Sequence, residues 1–371
     1  MDLLEKGKIS GFQFFALLVT VRLVPVTLFC PTVNMVTNPA TAWLNDLIGS
    51  LLALPLVWLL ANLSLKHPGK SIIGYAEDLL GPIAGKMAGF LIICFYFMVA
   101  ATVIRTLGET LVTSIMQATP LIVFVGSAAF LAANSARNGM ELNSRTAAVL
   151  TPTVVFLLIS VSFMAFGYMD LQYLRPIYFP DGLTELVWPS ASVLSFYTEF
   201  LVIGMLVPHL NRPEQAIPIS IGAILFSLGV LLMYCFVIGS VFGPLFNSLT
   251  LPAFRLARTV SIGTFLERVE PAVTVVWIFS ACVKFSLFVW ATAVGLSQLL
   301  GLSDYRPMIY PMGALIVPVS ILSYQGVIEL LDTLTGSMIV FAIGFLLFLL
   351  LSLYVAWAIR ISRQAEGGSS N

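Results

Sequence analysis

Four ionisable residues stand inside long apolar runs: Arg22, Asp46, Glu199 and Lys284. A charge at mid-membrane depth costs at least ~2.5 kcal/mol on insertion scales, so it normally faces a cavity or a partner. The run that carries Glu199 is WPSASVLSFYTEFLVIGMLVPHL, residues 188–210. It is long and apolar enough to cross a bilayer, and proline bounds it at Pro189 and Pro208. Just before the carboxylate comes a hydroxyl-rich tetrad, Ser195-Phe196-Tyr197-Thr198. A carboxylate and hydroxyls in the middle of a span mark the centre of a binding site. Lys284 lies in VVWIFSACVKFSLFVW, and two readings of it stay open. Its ammonium either stands where a coupling sodium would sit in related transporters, bridging spans one and eight, or pairs with Glu199 or Asp46 and only neutralises buried charge. Arg22 and Asp46 read as a charge network between the first two spans. Arg105 and Glu109, four apart on one helix, can pair locally. In Cys94-Phe95-Tyr96-Phe97-Met98, Tyr96 is the candidate pocket residue, because a buried hydroxyl needs a partner.

The remaining reactive residues point away from catalysis. His67 and His209 sit at span ends with no ligand-spaced partner. Cys30, Cys94, Cys235 and Cys282 are widely spaced, without a CxxC pair, and read as apolar thiols. No HExxH, GxSxG or P-loop pattern occurs. The expectation is a protein that is not an enzyme and holds no metal or cofactor.

The elements that must position these residues follow from composition. Of 371 residues, 59% are hydrophobic and 10% charged, against a usual charged share of about 25%. Mean hydropathy is +0.99. The chain therefore reads as an all-α integral membrane protein, since a β-barrel would alternate apolar and polar residues instead of running continuously. Formal net charge is zero, so no basic field offers itself to nucleic acid. A span needs roughly 20 mostly apolar residues. Ten transmembrane helices emerge, at about 10–34, 40–64, 83–108, 119–134, 147–166, 188–208, 214–241, 271–299, 307–323 and 336–359. They form a single transmembrane domain over 1–363, followed by a flexible polar tail, 364–371. Lys and Arg in the short loops place both termini in the cytoplasm: Lys6, Lys8, Lys66, Lys70, Lys86, Arg137, Arg145, Arg212, Arg306, Arg360 and Arg363 share one side, against Arg105, Arg175, Arg255, Arg258 and Arg268 on the other. Of the two long outer loops, 167–187 and 243–270, the second has apolar residues at helical spacing and reads as one or two short surface helices. Gly81, Gly85 and Gly89, four apart, let another helix approach closely.

The first span carries two prolines six apart, Pro25 and Pro31. Proline removes a backbone donor and frees a carbonyl one turn earlier, and freed groups at membrane depth must be satisfied by a cavity, a ligand or side chains. Ten spans divide as five plus five, about 10–166 and 188–359. Spans one and six are then corresponding members, both interrupted and polar. That is the sequence pointer to a 5+5 inverted repeat with a midplane site. Freed carbonyls attract an ammonium and half-helix N-termini a carboxylate, so an amino acid zwitterion is the natural ligand class. The predicted ligand-binding set is Val24, Pro25, Val26, Thr27, Leu28, Tyr96, Ser195, Phe196, Tyr197, Thr198, Glu199 and Lys284.

Several stretches together resemble the B subunits of spore germinant receptors, the GerAB-type spore germination permeases of the amino acid–polyamine–cation transporter superfamily. They are the opening KISGFQFFALL, the piece LRPIYFPDGL, the block SFYTEFLVIGMLVP, and FLERVEPAVTVVWIFSACVKFSLF followed by GLSQLLGLSDYRP. The resemblance runs over essentially the whole chain and rests on the order and spacing of these pieces. It implies ten spans in the LeuT-like arrangement, a place in the spore inner membrane, and assembly with an A-type subunit and a lipoprotein C-type subunit. It further implies binding of a small germinant, often an amino acid, that triggers germination. In the family the region corresponding to Val24–Val26 is usually glycine-rich, whereas here it reads Val-Pro-Val. The alternative function is a proton-coupled amino acid permease.

Overall fold

The structure, a computed structural model, describes residues 4–5, 7–29, 40–175, 182, 184–249, 251–260 and 270–368, with the backbone alone for 25–29 and for a few other positions, chiefly at segment ends. Fourteen α-helices follow one another over these residues: α1 (Gly11–Phe29), α2 (Ala42–Leu65), α3 (Ile72–Leu80), α4 (Pro82–Ser114), α5 (Leu121–Arg137), α6 (Met140–Met164), α7 (Thr184–Tyr197), α8 (Ile203–Leu206), α9 (Ala216–Phe242), α10 (Pro252–Thr259), α11 (Glu270–Leu299), α12 (Arg306–Leu322), α13 (Val327–Thr335) and α14 (Ser337–Gly368). A helix satisfies its backbone groups within itself, which is why continuous apolar runs adopt this form in lipid. Phe130, Phe156 and Phe163 are more than 60% exposed, apolar surface of the kind that lipid or a partner protein covers.

Among the described residues, seven helices are long and apolar enough to cross a membrane, and eight if α12 and α13, bent by 98° at their junction, form one span. Gly11–Val24 and Leu121–Arg137, at the first and fourth of the ten expected positions, are apolar but shorter. The chain is thus an all-α, multi-pass membrane protein with seven to eight candidate spans.

Three local features differ from expectation. The first span is not interrupted where Pro25 stands, because α1 continues through it to Phe29. Pro31 lies outside the described residues. The interval after α2, with no span expected, holds the nine-residue helix α3, capped by Ser71 Oγ accepting from the Gly74 N–H. It is held against α4 by the small residues of that helix: a Cβ on Gly85 would meet the Glu77 Cα at 2.3 Å. Finally, α14 runs on to Gly368, through most of the stretch expected to be a flexible tail. The prolines Pro55, Pro152, Pro189, Pro311 and Pro318 all lie inside helices, so Pro189 does not bound its segment.

The 243–270 loop does carry a short amphipathic helix, α10, with Phe254 and Leu256 buried and Arg255 and Arg258 exposed. Lys6, Cys30, Thr32, Arg268, the stretch 261–269 and the 176–181 part of the other loop lie outside the described residues.

At one end of the bundle the chain start is strapped down. Ile9 pairs in parallel with Leu210, its N–H donating to His209 O at 2.8 Å while Ile9 O accepts from the Asn211 N–H at 3.0 Å. Glu5 accepts from the Met140 N–H and from Trp290 Nε1, both at 2.7 Å. At the opposite end, Trp188 Nε1 donates to Thr335 O at 3.1 Å. Inside, α11 packs on α4, α5 and α6, and α2 packs on α7 and α9. Gly49 sets the α2–α7 approach: a Cβ there would lie 2.6 Å from both Ser190 O and Val193 Cβ.

Candidate binding site and relatives

Pro25 has no N–H, so the carbonyl of Val21, four residues earlier, loses its intrahelical donor. Lys284 of α11 supplies one: its Nζ donates to Val21 O at 3.0 Å. One turn on, Trp277 Nε1 donates to Val24 O at 2.8 Å. The proline is therefore accommodated by side chains of α11, and the helix stays continuous.

The sixth expected span does change form. After Tyr197 the α-helix tightens to a 3₁₀ segment, Thr198–Val202, then one α-turn, α8, and a second 3₁₀ piece, Val207–His209. A mid-span 3₁₀ stretch often marks a functional hinge. Glu199 sits in the first of these pieces, and its Oε2 lies 2.5 Å from Lys284 Nζ. Lys284 is fully buried and the Glu199 side chain 12% exposed. Both placements of Lys284 meet in this geometry: it pairs with Glu199 and, through Val21 O, bridges α1 and α11.

Arg22 and Asp46, both fully buried, form the second charge pair at 3.6 Å. Asp46 Oδ2 also accepts from the Cys235 thiol at 2.9 Å, so that cysteine does more than fill apolar space. The Arg22 guanidinium lies 4.4 Å from the centroid of the Tyr197 ring and 5.9 Å from that of Phe196. Both charge pairs thus adjoin the sixth span, one through Glu199 and the other through the Tyr197 and Phe196 rings. Arg105 pairs with Glu109 at 2.6 Å and also donates to Ser320 O and Ile321 O, closing the end of α12 at the 98° bend.

Beside the Glu199–Lys284 pair lies a cavity of about 50 Å³, room for roughly three to five waters at ~10–15 Å³ each. Its polar lining is Ser195, Thr198, Glu199, Lys284, Thr102 and Thr106; its apolar lining includes Val24, Phe95, Val99, Phe196, Trp277, Leu334 and Met338. Val24, Ser195, Phe196, Thr198, Glu199 and Lys284 of the predicted set therefore meet in one place. The side chains of Pro25, Val26, Thr27 and Leu28 lie outside the described residues.

Two predicted residues are not brought to the cavity. Tyr96 is fully buried, and its hydroxyl donates to Leu201 O at 3.0 Å, so its partner is a carbonyl of the 3₁₀ segment. The Tyr197 hydroxyl bonds Ser50 Oγ of α2 at 2.9 Å. The hydroxyl run is also partly committed: Ser195 donates to Ser192 O at 2.7 Å and Thr198 to Ser195 O at 2.6 Å. What Ser195 and Thr198 present to the cavity is oxygen lone pairs. Sequence reasoning missed Trp277, whose buried indole N–H needed a partner and could have flagged it. It also missed Thr102 and Thr106, which are spaced one turn apart on α4.

Comparison with known proteins agrees with this architecture. Among curated proteins, spore germination protein KB of Bacillus subtilis (strain 168) is 27% identical over 328 residues, 86% of each chain. YndE, a spore germination protein of the same strain, is 22% identical over 295 residues, 79% of this chain and 81% of its own. GerQB, a spore germination protein of Bacillus cereus, is 20% identical across 96% of both. Among solved structures, MhsT in complex with L-phenylalanine superposes with a TM-score of 0.62 at 14% identity, over 94% of this chain and 89% of that one. Mhp1, a nucleobase-cation-symport-1 family transporter, gives 0.66 at 11% identity, over 91% and 76%. The fold is that of these LeuT-like transporters. The profile described as spore germination protein matches residues 8–328, and the chain belongs to that family, the spore permeases of the GerAB type.

Proposed function

We propose that this chain is the germinant-sensing membrane subunit of a spore germination receptor and binds a small zwitterion, such as an amino acid, beside Glu199 and Lys284. The observation that carries the reading is the buried Glu199–Lys284 pair at the edge of a cavity, where the sixth span turns from α to 3₁₀. Glu199 and the lone pairs of Ser195 and Thr198 suit an ammonium. Lys284 offers a charge to a carboxylate, and Phe95, Val99 and Met338 suit an apolar side chain. That MhsT, with the same fold, holds L-phenylalanine supports the ligand class. Ligand that favours one arrangement of the 3₁₀ segment over another shifts the population of conformers, and partners read that shift. Those partners are an A-type and a lipoprotein C-type subunit. In this reading ten spans, with α1 and the short helix α5 among them, form two inverted sets of five. The strapped end of the bundle faces the cytoplasm, and the membrane is the spore inner membrane.

A second reading is a proton-coupled amino acid permease. The observation that favours it is Lys284 itself: a fully buried ammonium bridging α1 and the sixth span is a group whose proton could be exchanged during transport. Two measurements separate the readings. The melting temperature of the purified chain is followed against a panel of amino acids, where a ligand at 100 times its Kd stabilises by ~2.7 kcal/mol. Uptake of the stabilising amino acid is followed in proteoliposomes. A melting shift without accumulation supports sensing; sustained accumulation supports the permease. No shift with any amino acid, in a chain whose spores still respond to one, overturns the proposed site.

A further inference from the structure

At the strapped end, away from the cavity beside Glu199, a concave pocket of about 350 Å³ opens between the end of α2, α3 and the last turns of α14. Its polar lining is Lys66, His67, Lys70, Asp78 and Arg360. Lys70 pairs with Asp78, and Arg360 Nη1 donates to the Asp78 carbonyl at 3.3 Å. Among the described residues neither Lys66 nor Arg360 has a carboxylate partner, so the pocket holds three cations against one carboxylate. Lys66 Nζ rests on the Trp357 ring, 3.4 Å from its centroid. His67 stacks on Tyr75 with centroids 5.1 Å apart, and its Nδ1–H donates to Leu63 O at 3.0 Å, so the ring is held as part of the pocket wall. Burial pushes the Tyr75 phenol well up, so it stays a neutral platform.

We propose that this pocket binds the phosphodiester headgroup of an anionic phospholipid. A cation-lined pocket at a helix end, beside the hydrocarbon, is where lipid phosphate is held. Two features favour lipid over a soluble anion. Leu51, Pro55 and Trp58 of α2 are exposed at four- and three-residue spacing, an apolar stripe that leads along the helix toward Lys66. Trp357 and the exposed Ile361 line the pocket itself, as an interfacial aromatic and an acyl-facing residue would. The headgroup phosphate meets Lys66 and Arg360, and an acyl chain follows the α2 stripe.

The test uses the full chain in mixed micelles with phosphatidylglycerol and phosphatidylcholine, reading retained lipid by native mass spectrometry. Phosphatidylglycerol is retained in preference. The exposed-site double variant Lys66→Gln/Arg360→Gln lowers that preference by roughly fivefold per cation, about 30-fold in all. Arg145→Gln, in an exposed pair elsewhere, leaves it unchanged, and Lys66→Arg keeps it. Equal retention of both lipids, an unaltered preference in the double variant, or displacement of phosphatidylglycerol by millimolar inorganic phosphate would each overturn the proposal, the last by making the site one for a soluble anion.

Discussion

The first and sixth spans hold similar disturbances and resolve them differently. In α1 the disturbance is Pro25, which strips a donor from Val21 O. In the sixth span it is a hydroxyl-rich run whose side chains bond back to carbonyls three residues earlier, Ser195 to Ser192 and Thr198 to Ser195. The proline-bearing helix stays helical, because α11 reaches across with Lys284 to take the freed Val21 carbonyl. The hydroxyl-bearing helix tightens, because its own side chains compete for the backbone. Where an outside donor is fixed, the helix need not deform; where the donor is local, it does. Lys284 joins the two cases, since one ammonium serves Val21 O of α1 and Glu199 of the 3₁₀ segment.

That junction is the place to break first. Lys284→Ala leaves a carboxylate buried without its counter-charge, and removal of one member of a buried pair costs about 3–5 kcal/mol. The expected result is a large fall in melting temperature together with loss of germinant response. The double variant Glu199→Gln/Lys284→Met removes both charges, and pairs replaced by neutral side chains of similar volume are often near-neutral in stability. It recovers most of the lost stability but not the response. Recovery of response as well would mean that the pair is only structural.

The next effect separates the two spans. Tyr96→Phe removes the donor to Leu201 O in the sixth span, and Trp277→Phe removes the donor to Val24 O in α1. Each change removes one hydrogen bond, worth about 1 kcal/mol, so both lower stability, as denaturant titration in micelles would read. Trp277→Phe also takes ring volume out of the cavity wall, so the Trp277 change has the larger effect. Equal losses would remove that distinction.

This contrast also explains what could be read in advance. Spans were legible because twenty apolar residues in a row have one fate in lipid, and Glu199 was legible because a carboxylate there demands a partner. The nine-residue α3 was not, since it is too short to span and its anchor is the backbone approach at Gly85. The continuity of α1 was hidden for a different reason. Pro25 announces a freed carbonyl, but the donor that takes it lies 263 residues away in sequence. Tyr96 misled in the same way: a hydroxyl's need for a partner is visible in sequence, whereas the choice between ligand and nearby carbonyl is not. The carbonyl wins for Tyr96, while Ser195 and Thr198 give their protons to carbonyls and still line the cavity.

The smallest expected effect probes α1 alone. Pro25→Ala returns an N–H to position 25, the donor that Val21 O lacks. Val21 O then turns back into its own helix, and Lys284 keeps Glu199 as its main partner. One hydrogen bond is gained and one weakened, each about 1 kcal/mol, so net stability changes by less than about 1 kcal/mol. On the proposed function the functional effect exceeds the energetic one, because the Lys284 tie between α1 and the sixth span would carry to α1 the effect of ligand beside Glu199. A germinant concentration–response curve shifted several-fold, in a protein of unchanged melting temperature, is the expected outcome. An unshifted curve would mean that the Lys284–Val21 bond holds the helices together without carrying the signal.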